Sequence, residues 1–90
     1  MNTQTTATGA ENITAAQQFN DRGEELAMWV IVAESARNRF RWCVLGEGFT
    51  EKDAWRSAYG PEGKPRRTRA WAEHISYEHF DRLQQAEANA

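Results

Sequence analysis

The sequence predicts an α+β fold: an antiparallel β-hairpin packed against two helices, with a short helix ahead of the hairpin. Three observations predict it. Two runs rich in Val, Ile, Trp and Phe, at 26–34 and 39–45, are separated by four residues, Ser35–Ala36–Arg37–Asn38. A capping sequence at Thr50 then opens a helix. Finally, apolar residues recur at helical spacing from Arg69 to Ala88.

Ninety residues suit one domain, expected over 11–90 behind a disordered tail at 1–10. The tail is rich in Thr, Asn and Gln. Ile13 to Phe19 is compatible with a short helix that Gly23 would stop. In the hairpin, a four-residue loop places Glu34 opposite Arg39, Ala33 opposite Phe40, Ile31 opposite Trp42 and Trp29 opposite Val44. Side chains alternate between faces, so Trp29, Ile31, Ala33, Phe40, Trp42 and Val44 form a core face for both helices. The other face carries Met28, Val30, Val32, Arg41, Cys43 and Leu45 and is also largely apolar.

Gly46–Glu47–Gly48–Phe49 reads as a flexible turn. Thr50 is a good N-cap with Asp53 at the capping-box position, and Ala54, Trp55, Ala58 and Tyr59 share one stripe. Gly60–Pro61 ends that helix. A breaker-rich basic loop follows, from Pro61 to Thr68. The last helix then presents Trp71, Ala72, Ile75, His79, Leu83 and Ala86 on one face, with Tyr77 and Phe80 pointing elsewhere. Trp29, Trp42, Trp55 and Trp71 fall one per element, as a shared core requires.

The residues offer little for catalysis, and no cofactor is expected. His74 and His79 are five apart, about 140° around a helix, and cannot chelate one metal together. Cys43 is the single cysteine and reads as a half-buried structural thiol, with no patterned base beside it. Glu47, Glu51 and Asp53 sit where acids complement a helix N-terminus. The Gly46–Gly48 and Gly60–Gly63–Lys64 spacings match no phosphate-binding loop. With no apolar leader or membrane span in the sequence, a cytoplasmic, non-enzymatic protein is expected.

Charge is the informative feature. The net −2 divides into −4 over 1–36, +5 over 37–69 and −3 over 70–90. Lys64, Arg66, Arg67 and Arg69 precede the expected helix, where cations oppose the dipole, so a bound anion would offset them. Arg37, Arg39 and Arg41 interleave with Phe40 and Trp42, a pattern found on nucleic-acid-binding sheets. In the expected register, however, those aromatics face the core, away from the arginines. The second hairpin face, through Val32 and Leu45, is an apolar surface for the N-terminal segment, a second copy of the chain or a partner. Tyr77 and Phe80 add a smaller patch.

The series Trp29–Val30–Ile31–Val32, Phe40–Arg41–Trp42–Cys43–Val44 and Gly48–Phe49–Thr50–Glu51–Lys52–Asp53–Ala54–Trp55 resembles a ββα unit of short phage and mobile-element accessory proteins, over residues 26–60. Some of these are anti-CRISPR and other anti-defence inhibitors. The resemblance implies an inhibitor or adaptor without enzymatic activity, docking on a host protein or nucleoprotein complex. The basic middle departs from the acidic, DNA-mimicking subtype. A small nucleic-acid-binding module that uses the same arginines is the alternative.

Overall fold

A computed structural model describes residues 17–90. Five elements follow in order: β1 Met28–Glu34, β2 Trp42–Gly48, α1 Glu51–Tyr59, β3 Trp71–Ile75 and α2 Tyr77–Ala88. The tail expected at 1–10 lies outside the described residues, as does most of the short helix expected at Ile13–Phe19. Its described part is not helical, since Phe19 makes a bridge to Glu25.

β1 is the middle strand of a three-stranded antiparallel sheet ordered β2–β1–β3. Its consecutive Val30, Ile31 and Val32 are each 0% exposed, as a strand covered on both faces requires. Expectation and structure part at the hairpin register. Glu34 pairs with Trp42, Ala33 with Cys43 and Val32 with Val44, a displacement of three residues. An odd displacement exchanges faces. Trp42 and Val44 therefore stand beside Val30 and Val32, and not beside Trp29 and Ile31.

The cause is the loop, which spans 35–41 and is held by its own side chains. Ser35 Oγ accepts from Arg37 N, Asn38 Oδ1 accepts from Phe40 N, and Asn38 Nδ2 donates to the Trp42 carbonyl at 2.7 Å. Arg41 closes the turn in the left-handed region, at φ 61°. Farther on, Leu45 is the extra residue of a bulge, because Ile31 pairs with Gly46.

Of the segment expected to be a flexible turn, Gly46 to Gly48 is strand instead. Gly46 and Gly48 have no side chain where α1 crosses, and a Cβ on either would meet helix backbone at 2.5–2.8 Å. Thr50 caps α1 by accepting from Asp53 N at 3.1 Å, and Gly60 ends the helix at φ 100°. α1 buries Ala54 and Trp55 against Ile31 and Ala70, with Trp29, Ala33 and Ala72 around them.

The long helix expected from Arg69 is two elements. Trp71–Ile75 pairs with β1, Trp71 opposite Val32 and Ile75 opposite Met28. Ser76, fully buried, then caps α2 by accepting from His79 N at 2.9 Å. With Glu73 at its centre, Trp71–Ile75 carries no alternation of apolar and polar residues, and the choice between helix and strand is not made locally. The open edge of β1 decided between them.

α2 seats Leu83 on Met28, Val30, Val32 and Ile75. The helices thus cover opposite faces of the sheet, and Met28, Val30 and Val32 of the second hairpin face are core, not a free surface. Val32, 0% exposed, has no surface on which a partner could dock.

Candidate nucleic-acid interface

Strand direction builds the site. β1 runs toward the 35–41 loop, while β2 and β3 start at that end. α1 finishes there and leads into 60–70. α2 also finishes there, its Glu87 accepting from Val44 N at 2.7 Å. That bond occupies a backbone donor on edge strand β2, one way an exposed edge is blunted. Two segments distant in sequence, 35–41 and 60–70, therefore share one end of the sheet. Together they carry Arg37, Arg39, Arg41, Lys64, Arg66, Arg67 and Arg69 against one acid, Glu62.

The opposite end is acidic. Asp21, Glu24 and Glu25 precede β1, Glu47, Glu51 and Asp53 surround the start of α1, and Glu78 and Asp81 open α2. Arg22, Lys52 and Arg82 are the cations there. The uneven charge along the chain has become a polarity along the strands.

Among the described residues, none of the seven basic-end cations forms an ion pair; the pair present is Glu24–Arg82, 2.9 Å. Glu73, four residues after Arg69, accepts from Trp71 Nε1 at 2.7 Å and pairs with none of them. Helix dipoles explain part of the accumulation, because two C-termini present roughly one negative charge in total. Glu34, Glu62 and Glu87 add three more, and Arg56 in the last turn of α1 adds a cation. An excess of about four positive charges remains.

Both loops are shaped. Thr68 Oγ1 accepts from Ala70 N and shares a 2.9 Å hydrogen bond with Tyr59 Oη. Lys64 Nζ lies 5.2 Å from the Trp55 ring centre, and the Arg39 guanidinium lies 4.9 Å from that of Phe40. A cavity of about 400 Å³ opens between Tyr59 and the Lys64–Arg66 stretch. Since the basic run leads into a strand, the helix-dipole cost inferred from sequence does not arise. What the fold adds instead is that the cations of both loops stand at one end of the sheet.

The remaining predicted residues separate. Leu45, 41% exposed, stands at the bulge of edge strand β2. Tyr77, 52% exposed, and Phe80 line an apolar groove of about 290 Å³ at the acidic end, with Met28 beneath and Phe49 opposite. Sequence reasoning missed Phe49. It precedes the N-cap, where an apolar residue ordinarily packs back on its helix, yet it is 75% exposed.

Titration follows the same geography. Arg82, joined by Asn20 and Ser76, holds the Glu24 carboxyl at about 2 and ties the segment before β1 to α2. Burial, with the Arg82 charge, lowers His79 below its usual value. The two histidines lie on opposite faces, His74 stacked on Trp29 at 4.7 Å and His79 on Trp42 at 5.9 Å. Cys43 is a free, half-buried thiol. No group of three or more His, Cys, Asp or Glu able to hold a metal occurs among the described residues, and no described helix is long and apolar enough to cross a membrane.

Comparison with protein-family models, curated proteins and solved structures finds no match.

Proposed function

We propose that the protein is a non-enzymatic binding module whose basic end docks on the phosphate backbone of nucleic acid, free or within a nucleoprotein complex. One observation carries this reading: arginine segments distant in sequence converge on one end of the sheet, with about four charges in excess of the local acids and dipoles. Arginine suits the role because its planar fork matches phosphate oxygens.

The test is an anisotropy titration of labelled oligonucleotides across a salt series. Four neutralised phosphates give a slope of log K against log salt near −2.8 on single strands and −3.6 on duplex. Affinity then falls roughly 50-fold to 150-fold between about 50 and 200 mM salt. Reversing Arg66 and Arg67 to Glu should flatten the slope by about two. Absence of binding at the low-salt end rules the reading out.

A second reading, an inhibitor or adaptor on a host protein, is favoured by the Phe49–Tyr77–Phe80 groove. Capture of a protein that survives nuclease and high salt, with no direct nucleic-acid binding, would move the function to that groove.

A further inference from the structure

Phe40, Trp42 and Trp71 all lie at the basic end. Trp42 and Trp71 open the two edge strands, directly after Arg41 and two residues after Arg69. The observed register turns them to the same face, flanking β1 from either side through Glu34 and Val32. Their rings meet edge to face with centres 6.0 Å apart. His79 stacks on Trp42 and lies 6.0 Å from Phe40, where Arg39 also sits. The Trp71 indole N–H is held by Glu73, which fixes that ring and occupies the one acid on its strand.

These rings adjoin the core formed by Val32 and Leu83, yet all three remain partly exposed. Burial alone would favour covering them. A preorganised aromatic cluster bordered by cations on two loops is complementary to a polymer with charged backbone and free π faces.

We propose that the basic end selects single-stranded nucleic acid, with Trp71 and Trp42 stacking on unpaired bases while the loop arginines hold the phosphates. The inference rests on the nucleic-acid reading above and narrows it. A duplex conceals its base faces, and reading its major groove takes a helix or a two-stranded ribbon. Here both helices present their C-termini, and the cations sit on loops.

The experiment compares oligo-thymidine with a duplex of equal length at one salt concentration, using wild type, Trp71→Leu and Trp71→Phe. Leu keeps apolar bulk against Val32 but has no π face, whereas Phe retains one. The expected result is wild-type preference for the single strand and an affinity loss of about tenfold for Trp71→Leu, largely restored in Trp71→Phe. The salt slope should stay unchanged in both variants, since no cation is removed. Thermal melts of each variant separate loss of stacking from loss of fold; if Trp71→Leu is unfolded, the single-strand preference of wild type and Trp71→Phe decides. Equal affinity for both polymers, or an undiminished Trp71→Leu, overturns the stacking proposal and leaves the phosphate reading standing. Failure of wild type to bind either polymer overturns both.

Discussion

Replacing Gly46 with alanine should loosen the whole domain, although it adds a single methyl group. A Cβ there would lie 2.5 Å from Ala58 N and 2.8 Å from both Ala54 O and Ala58 Cα. Ordinary contact begins near 3.4 Å, so α1 must retreat by about 1 Å. The clashing atoms are all backbone, and no rotamer change relieves them. Retreat also opens the seam where Ala54 and Trp55 meet Ile31.

Overpacking of this kind costs about 1–3 kcal/mol. Alanine recovers roughly 0.5–1 kcal/mol of the glycine's entropy loss in a strand. A net loss near 1–1.5 kcal/mol follows, about 4–12 °C in Tm for a domain this small. Urea unfolding followed by tryptophan fluorescence measures it as a lower midpoint at constant m. Gly23→Ala is the comparison: nothing lies within 4 Å of its Cβ, and its φ of 79° imposes backbone strain alone, costing about 1 kcal/mol. A Gly46→Ala midpoint equal to wild type would refute the argument that close helix–strand approach selects glycine here.

Two further predictions concern the ends of the molecule. Glu24 titrates near 2 in the fold and near 4.5 when unfolded, so its contribution is complete above pH 4.5 and is lost as pH falls toward 2. Thermal melts of Glu24→Gln should therefore lack a decline that wild type shows in that window; parallel curves would refute the assignment. Arg41 holds a left-handed conformation at φ 61°, worth about 1–2 kcal/mol of strain for a residue other than glycine. Arg41→Gly should match or exceed wild type in Tm while reducing the salt slope of binding by about one. A clear fall in Tm would show that the arginine side chain stabilises the loop.

Much of the architecture was legible locally. β1 declares itself by uninterrupted β-branched and aromatic residues, and α1 by Thr50, Asp53 and Gly60, because capping and propensity act between neighbours. The charge division was legible too, including the basic 37–69 stretch and both arginine segments. Four decisions belonged to the tertiary structure. Trp71–Ile75 has no apolar alternation of its own, and only pairing with the free edge of β1 makes it a strand. The hairpin register rested on the pairing of Glu34 with Trp42 across the strands, which put three more residues in the loop that Ser35 and Asn38 brace and reversed the faces of Trp42 and Val44. The helices took opposite sides of the sheet, burying Val32 and removing it from any surface. Strand direction then brought 35–41 to 60–70 and set an acidic end against a basic one. Sequence determines what each segment can be, since local bonds span a few residues; which side chains meet depends on pairings between segments some 40 residues apart, such as Val32 and Trp71.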